Sequence, residues 1–396
     1  MANFAQLQDV EFPPSKEPCV MRVLIIPDKF KGSLTAHEVS AAVERGLKQA
    51  HPNLITQTVI ASDGGDGFLE AAKQNVAGVE TVRCATFDPL GREISGEYLY
   101  DVESKTAFVE MAQASGLVLL TPEERNPMRT STYGTGVLIA DALGRGAARV
   151  YIGLGGSATN DGGLGIATAL GYRFLDRRGE ELTPVGQSLG AIESIDATKV
   201  LAELAKADLF AINDVINPLL GAEGAAHVYG PQKGADAVAV QELDAGLNHL
   251  DRVVQKQLNK DAAEMPGAGA AGGTGFGLHV FAGASFVSGI EFILKLAGVE
   301  KLLSKRDIDW IVTGEGKIDD QTAYGKLVRG VSQIGARYEI PVVAVCGILE
   351  LNQQTVAGLG LRHVAEIHDR ARPLQFTIDH AAELVEATAK TILSIH

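Results

Sequence analysis

The chain has 396 residues, and 35 Lys plus Arg against 49 Asp plus Glu give it a formal net charge of −14 at pH 7. Hydrophobic residues make up 46% of the chain, enough for the cores of two or three domains, so intrinsic disorder is excluded. The negative charge and the lack of a sustained Lys/Arg cluster argue against nucleic acid or an anionic membrane as the main partner.

Targeting signals and cysteine spacing exclude further classes. No stretch of about 18 apolar residues exists, and residues 1–20 lack the features of a signal peptide, so a cytoplasmic protein is expected. Cys19, Cys84 and Cys346 are far apart in the sequence, which supports neither a disulfide framework nor a zinc site. We expect three reduced thiols.

The first part of the chain predicts an extension followed by a β-loop-α unit. Residues 1–20 are polar and contain three prolines, which is typical of a loose extension. The apolar run Val23–Ile26 predicts a buried strand. Thr35 and Glu38 have the spacing of a capping box, so a helix is expected from about Thr35 to Ala50.

The same strand-loop-helix order returns along the chain. Further apolar runs lie at Thr58–Ala61, Val150–Leu154, Leu209–Ile212, Trp310–Thr313 and Val342–Cys346. Continuous apolar runs indicate strands that are covered on both faces, as in parallel α/β sheets. Shorter runs between about Thr81 and Met111 predict a hairpin. We therefore expect one α/β domain made of 21–78 plus 286–396 and a second domain, 79–285, inserted in it.

Lysines mark the first loop that could carry chemistry. Asp28, Lys29, Lys31 and Ser33 lie between a predicted strand and a helix N-terminus. The N–H groups of such a terminus, together with ammonium groups, bind phosphate or carboxylate. An anion-binding loop and a solvated turn capped by Ser33 both fit this stretch.

Two aspartates mark the second loop, Ser62–Gly67. Asp63 and Asp66 are three residues apart among glycines. This arrangement suits Mg²⁺ held through waters, or a base for a hydroxyl group. An ordinary Asp-Gly turn fits equally well.

The third loop, Gly153–Gly163, combines glycines with polar side chains. It matches G-x-G-x-x-[GA], and Asp176 follows at the distance of the dinucleotide-binding fingerprint. The loop nevertheless has more hydroxyl, amide and carboxylate groups than a pyrophosphate turn needs, which is typical of a cradle for a polyphosphate and its metal. Its candidate binding residues are Gly155, Gly156, Ser157, Thr159, Asn160 and Asp161. The Walker A pattern is absent from the sequence.

Polar candidates also follow two other predicted strands. Asn213 and Asp214 stand at a strand end, where open α/β sheets bind ligands, and Lys233 lies in the Gly-rich stretch that follows. Glu315 is the carboxylate nearest the end of a later strand. An Asx turn at Asn213 fits as well. Metal-site histidine spacings and a G-x-S-x-G elbow are absent, which disfavours zinc and serine hydrolases.

Four segments together resemble the type I glycerate kinase family. They are Pro27–Leu34, Asp63–Gly67, Gly155–Gly163 and Thr313–Asp319. The resemblance covers essentially Met21 to the C-terminus and implies ATP-dependent phosphorylation of D-glycerate, with 2-phosphoglycerate as product and Mg²⁺ as the partner of ATP. It also implies two α/β domains: a Rossmann- or flavodoxin-like one with a parallel sheet formed by both chain ends, and an inserted one with a mixed sheet.

The chemistry of phosphoryl transfer suggests residue roles within this resemblance. The reaction needs in-line positioning, neutralisation of charge and a carboxylate that receives the proton of the acceptor hydroxyl. Lys29 and Lys31 are expected to contact phosphate or the glycerate carboxylate, and Asp66 or Asp214 to accept the proton. The third loop is expected to cradle phosphate, and Asp66 and Asp161 are the candidates for Mg²⁺. Because water must be excluded, we expect the active site in a cleft between two domains.

Two other functions remain open at this point. An NAD-dependent oxidoreductase would use the Gly153–Ala158 fingerprint with Asp176 on the ribose, although no hydride-transfer pair accompanies it. A non-catalytic sensor would bind a small acid or a nucleotide without turnover. The partners expected for the kinase are the small molecules D-glycerate and ATP, and the chain is expected to be a monomer or homodimer. The Gly/Ala run Gly267–Gly277 fits either a hinge or close helix packing.

Overall fold

A computed structural model describes residues 20–60, 67–319, 327–351, 356 and 358–393. The described residues fall into two compact units. The first contains those within Met1–Asp63, Gln74–Ala77 and Ile290–His396, and the second those within Gly64–Lys73 and Gly78–Gly289. Apart from Val20, the predicted extension lies outside the described residues, and the domain boundaries inferred from the sequence stay predictions.

Strands and helices alternate through most of the chain. The strands are β1 (Arg22–Pro27), β2 (Ile55–Thr58), β3 (Glu80–Phe87), β4 (Glu93–Asp101), β5 (Thr106–Glu110), β6 (Arg149–Gly153), β7 (Arg173–Leu175), β8 (Ser194–Asp196), β9 (Asp208–Ile212), β10 (Ser285–Val287), β11 (Trp310–Ile318), β12 (Val342–Leu349) and β13 (His363–Glu366). The α-helices are α1 (Ala36–Ala50), α2 (Phe68–Asn75), α3 (Ala112–Ser115), α4 (Tyr133–Gly144), α5 (Leu164–Ala169), α6 (Ala225–Tyr229), α7 (Ala237–Leu258), α8 (Ala270–Ala282), α9 (Gly289–Leu296), α10 (Val299–Ser304), α11 (Leu327–Arg337), α12 (Leu374–Asp379) and α13 (Ala381–Ile392). Short 3₁₀ helices lie at Leu117–Leu119, Pro122–Glu124, Gly186–Ala191, Leu204–Lys206 and Pro231–Lys233.

The first unit contains a parallel sheet with the strand order β13-β12-β11-β1-β2. Strand β1, which lies between β11 and β2, is buried along its whole length, as its continuous apolar run predicts. Helix α1 begins with the predicted capping box, in which the Thr35 hydroxyl accepts from the Glu38 N–H and the Glu38 carboxylate accepts from the Thr35 N–H. Local sequence signals therefore predict β1 and the start of α1 correctly.

Two predicted strand limits in this unit are wrong. The run Thr58–Ala61 predicts a strand, but β2 ends at Thr58, while Ala61 lies outside the described residues. Among the described strands, this half-exposed edge strand pairs with β1 alone, and it carries polar residues. The apolar run Trp310–Thr313 predicts a strand that ends at Thr313, but β11 continues to Ile318. Its extension pairs with β12, and a Cβ added to Gly314 would stand 2.3 Å from the Val345 carbonyl oxygen, so this glycine allows close strand contact.

The second unit contains a mixed sheet with the order β10-β9-β6-β5-β4-β3. Strands β3 and β4 form the predicted antiparallel hairpin, whereas β5, β6, β9 and β10 run parallel. A two-stranded ribbon of β7 and β8 is attached. The predicted fold class is therefore confirmed: an α/β chain with a parallel sheet formed by both chain ends and a mixed sheet in the middle.

Helices α5 and α8 of the second unit lie between two apolar clusters. One cluster joins them to α4 and the sheet, and the other joins them to α6 and α7. The loop that leads into α5 is therefore deeply buried along most of its length. No helix in the described part of the chain is long and apolar enough to cross a membrane.

Candidate functional site

The carboxyl ends of four parallel strands form one edge of the second unit's sheet. Glu110 of β5, Gly153 of β6, Ile212 of β9 and Val287 of β10 stand next to one another in register. Ligands of open α/β sheets bind at such an edge. The third predicted loop, which follows β6, and Asn213 and Asp214, which follow β9, are therefore brought to the same edge.

The loop after β6 is fixed by bonds to its neighbours. The Gly156 carbonyl accepts from the Leu117 N–H at 2.8 Å, the Ala158 N–H donates to the Ser115 carbonyl at 2.8 Å, and the Ala158 carbonyl accepts from the Thr130 hydroxyl at 2.9 Å. Gly155 and Gly156 are half-buried. Their N–H groups donate to no acceptor among the described residues. The loop thus presents backbone donors from a rigid support.

Asp161 is fully buried and bonded on both carboxylate oxygens. It accepts from the N–H and the hydroxyl of Thr132, both at 2.8 Å, and from the N–H groups of Gly163 at 3.1 Å and Gly165 at 3.2 Å. Burial raises the pKa of this carboxyl, and the hydrogen bonds oppose that rise. Asp161 therefore ties the segment around Thr132 to the start of α5. No spacing in the sequence indicated Thr132, which lies 29 residues from Asp161.

Lys233 is buried beneath this loop, with only 1% of its surface exposed. Its Nζ donates to the Ser157 hydroxyl at 2.8 Å and to the Thr159 carbonyl at 2.7 Å. No carboxylate in the described part of the chain forms an ion pair with it. Burial lowers the pKa of Lys233 to about 7, although the Asp161 charge acts in the opposite direction.

Three polar side-chain atoms of the same loop are buried without a hydrogen-bond partner among the described residues. They are Oγ1 of Thr159 and both Oδ1 and Nδ2 of Asn160, and both residues are 0% exposed. An unsatisfied buried polar group costs about 1–3 kcal/mol. Native proteins leave few such groups, so their concentration in one loop makes this loop a candidate binding element.

Asp214 is held by the neighbouring strand end. Its Oδ1 accepts from the Ser288 hydroxyl at 2.6 Å and from the Gly289 N–H at 3.1 Å. The Asn213 Oδ1 accepts from the Val215 N–H at 3.2 Å, so the Asx turn considered from the sequence is present. The turn and the half-buried carboxylate occur together, and the turn fixes the direction in which the chain leaves β9.

In the first unit, the turn after β1 packs on β11. The Asp28 N–H donates to the Gly314 carbonyl at 2.8 Å, and a Cβ added to Gly316 would stand 3.1 Å from the Cα of Phe30. Lys31 is exposed. Glu315 is 4% exposed and stands in register with Cys346. Burial raises the pKa of the Cys346 thiol, and the charges of Glu366 and Glu315 raise it further.

The remaining polar side chains of this turn are partly buried. The Asp28 carboxylate accepts from the N–H of Lys29 at 2.7 Å. The Ser33 hydroxyl donates to the Phe30 carbonyl at 3.2 Å, whereas Thr35 caps α1. The first unit thus brings Asp28, Lys29, Lys31, Ser33 and Glu315 to one end of its sheet.

Asp63 and Asp66 lie outside the described residues, but the helix that follows them is anchored at the second unit's sheet edge. Glu110, 6% exposed, accepts from the N–H groups of Gly67 at 3.3 Å and Leu69 at 2.9 Å, at the start of α2. The sequence interpretation missed Glu110. A carboxylate that closes an otherwise apolar strand was the available signal.

The metal prediction is not tested by these contacts. No group of three or more His, Cys, Asp and Glu side chains that could hold a metal ion occurs among the described residues. Mg²⁺ uses carboxylate and phosphate oxygens together with waters. Asp161 already accepts four hydrogen bonds, and Asp66 is not described. Mg²⁺ binding by these two residues therefore stays a prediction.

The geometry does not favour the dinucleotide-binding alternative. That fingerprint requires the glycine turn to open directly into a helix, but α5 begins only at Leu164. Asp176 is bonded within its own turn, where it accepts from the N–H groups of Arg178 at 2.8 Å and Glu180 at 3.0 Å. It belongs to the β7–β8 ribbon rather than to the sheet edge.

Comparison with known proteins gives consistent matches over most of the chain. The family model described as the glycerate kinase family matches residues 23–396. The chain is 40% identical over 370 residues to a glycerate kinase of Halalkalibacterium halodurans, with coverage of 93% of this chain and 97% of that protein. It is 41% identical over 329 residues to the glycerate 2-kinase of Escherichia coli K12, covering 83% and 86%.

A solved structure is also similar. It is a crystal structure of a Salmonella typhimurium LT2 protein that carries the name glycerate kinase 2. The TM-score is 0.79 at 37% sequence identity, with coverage of 95% of this chain and 98% of that one. The similarity therefore includes both units of the fold.

Proposed function

Because the chain belongs to the glycerate kinase family, we propose that it transfers the γ-phosphoryl group of ATP to D-glycerate and releases ADP and 2-phosphoglycerate. The family predicted from the four sequence segments, and with it the class of enzyme, a phosphotransferase with an alcohol group as acceptor, is confirmed. The donor, the handedness of the acceptor and the position of transfer are the proposed part.

The loop after β6 is the observation that most supports phosphoryl transfer. The N–H groups of its half-buried glycines, Gly155 and Gly156, have no acceptor among the described residues, and the loop is fixed by Leu117, Ser115 and Thr130. Fixed backbone donors stabilise the oxygens of a transferring phosphoryl group without reorganising during the reaction. Ser157, Thr159, Asn160 and Asp161 complete the proposed phosphate cradle.

Asp214 is the described candidate for the base. Its carboxylate is fixed by Ser288 and Gly289 at the same sheet edge as the cradle. In the proposed step, the C2 hydroxyl of glycerate attacks the γ-phosphorus, its proton passes to a carboxylate oxygen, and the bond from the γ-phosphorus to the ADP oxygen breaks. Asp66 is the alternative base, with Asp63 beside it. Asn213 is proposed to contact the substrate next to Asp214.

The first unit is proposed to supply positive charge. Lys29 and Lys31 suit phosphate or the glycerate carboxylate, and Asp28, Ser33 and Glu315 belong to the same turn and strand end. Mg²⁺ bound with ATP would neutralise part of the phosphate charge. Location of the reaction in a cleft between the two units, and a monomeric or homodimeric state, stay predictions from the sequence.

A coupled assay tests the activity and the product together. We expect the purified chain to release ADP from ATP and Mg²⁺ when D-glycerate is added, and enolase to convert the product directly. A signal that requires phosphoglycerate mutase would mean that 3-phosphoglycerate is formed. Absence of ADP release with D-glycerate would contradict the kinase proposal and leave a non-catalytic sensor.

A further inference from the structure

Lys233 differs from the other predicted site residues because its ammonium group is enclosed by protein. Its two hydrogen bonds go to the Ser157 hydroxyl and the Thr159 carbonyl, both on the cradle loop. With 1% of the residue exposed, a nucleotide or glycerate molecule cannot reach Nζ without displacing the loop. Direct ligand contact, which the sequence suggested, is therefore not what the described geometry favours.

The backbone that carries Lys233 is firmly held. Lys233 ends the 3₁₀ turn Pro231–Lys233, and Gly234 follows with φ +95°. A Cβ added at Gly234 would stand 2.2 Å from the Arg125 carbonyl oxygen, so this turn lies directly against the chain at Arg125. The ammonium group consequently reaches the loop from a support that has little freedom to move.

The two bonds of Lys233 add to the contacts that hold the loop just after its half-buried glycines, Gly155 and Gly156. Ser157 and Thr159 flank Ala158, whose N–H and carbonyl are bonded to Ser115 and Thr130. Lys233 binds the residues on either side of Ala158: it donates to the Ser157 hydroxyl and to the Thr159 carbonyl. The ammonium group is therefore one of the contacts that fix the segment directly after Gly155 and Gly156.

We propose that Lys233 is a positioning residue that holds the Ser157–Thr159 segment and thereby aims the Gly155 and Gly156 N–H groups at the transferring phosphoryl group, without touching the nucleotide. The assignment rests on the proposed function for the identity of the ligand. The effect of Lys233 on the shape of the loop does not depend on that ligand.

The first measurement is amide hydrogen exchange of the ligand-free, full-length protein, followed in peptides that cover residues 154–162. We expect Lys233→Met to accelerate exchange there by about tenfold or more, because two bonds that close the loop are lost. Ser157→Ala, which keeps the ammonium group and its bond to Thr159, should give a smaller acceleration. It also serves as the deciding variant if Lys233→Met does not fold.

Lys260→Met is the matched control. Lys260 lies in the same unit, its Nζ donates to the Val280 carbonyl, and burial lowers its pKa, but it makes no bond to the cradle loop. We expect unchanged exchange in residues 154–162 and an unchanged KM for ATP in this variant. If Lys260→Met accelerated exchange as much as Lys233→Met does, the acceleration would reflect a general loss of stability, and the proposal would be overturned.

Kinetics separates positioning from direct contact. For Lys233→Met we expect the KM for ATP to rise about tenfold, together with the faster exchange. A weaker affinity for ATP with exchange at the wild-type rate would mean that the ammonium group contacts the nucleotide, and wild-type values of both would remove any role; either result overturns the proposal. If the chain does not phosphorylate glycerate but the loop still loosens, the proposed function fails and the positioning role stands.

Discussion

At the scale of single residues, Asp161 on the loop after β6 and Lys233 beneath that loop are buried ionisable groups, and neither forms a direct ion pair among the described residues. Burial raises the pKa of Asp161 and lowers that of Lys233, because each charged form loses hydration. Each group spends its hydrogen bonds on the loop itself or on the segment around Thr132. The fold therefore uses costly buried groups to specify the shape of one loop.

The depressed pKa of Lys233 predicts a particular dependence of stability on pH. In the folded protein its pKa is about 7, against an ordinary value of 10.5, so between these pH values the unfolded chain binds more protons. The free energy of unfolding contributed by this group therefore rises as the pH rises from about 7 to 10.5. Below pH 7 both states are protonated and the contribution is constant.

Denaturant unfolding of the wild-type protein and Lys233→Met between pH 6 and pH 10, an interval of roughly the width of this pKa shift, measures the effect. Other ionisable groups cancel in the difference between the two proteins. We expect the wild-type protein to gain stability relative to the variant above pH 7. A constant difference over the whole range would mean that Lys233 titrates normally in the folded state.

At the scale of elements, the run Gly267–Gly277 at the start of α8 packs closely against the loop after β6. Ala271, Gly272 and Gly273 have left-handed backbone angles and interrupt the start of α8. A Cβ added to Gly272 would stand 2.1 Å from the Thr159 carbonyl oxygen, and one added to Gly277 would stand 2.3 Å from the Gly162 carbonyl oxygen. Close packing, rather than a hinge, is thus the reason for this glycine run.

Gly272→Ala tests whether this contact supports the cradle loop. Its left-handed φ of +70° makes any side chain strained, and the Cβ would also meet Thr159. Gly283 is the matched control, since its φ is +68° and nothing lies within 4 Å of a Cβ there. We expect Gly283→Ala to lower the free energy of unfolding by about 1–2 kcal/mol, and Gly272→Ala by clearly more.

Equilibrium unfolding measures both variants, and activity provides a second comparison. Gly272→Ala should also raise the KM for ATP, because the displaced Thr159 carbonyl is an acceptor of Lys233. Equal losses of stability in Gly272→Ala and Gly283→Ala would mean that the start of α8 accommodates the added Cβ without further destabilisation and does not support the loop.

At this scale, features set by residues close together in the sequence could be predicted, whereas features set by residues far apart could not. The capping box of α1 and the buried strand β1 are encoded by neighbouring residues, and both predictions are confirmed. The limits of β2 and β11 depend on which strands pair with them, so apolar runs alone placed these limits wrongly. The contacts of Lys233 join residues 74 and 76 positions apart, and no spacing rule connects them.

At the scale of the whole molecule, a net charge of −14 opposes the approach of anionic substrates, so local cations carry the attraction. Lys31 is exposed, and among the described residues it makes no ion pair. It follows β1 in a turn that packs on β11. If this lysine contacts phosphate or the glycerate carboxylate, its charge strengthens substrate binding because of where it lies, and not because it changes the net charge of the chain.

Lys31→Ala and Lys48→Ala separate these two effects, because each makes the net charge more negative by the same amount. Lys48 is a half-exposed residue of α1 that pairs with Glu44 at 2.5 Å, and such surface pairs contribute little. We expect Lys31→Ala to raise the KM for glycerate or ATP about tenfold, as for a lost hydrogen bond to a charged group. Lys48→Ala should leave both KM values within about twofold, because one more negative charge at a distance is largely screened at physiological ionic strength. Steady-state kinetics at fixed salt decides the matter: equal shifts in both variants would mean that Lys31 contributes only to the overall field and that the turn after β1 is a solvated surface turn.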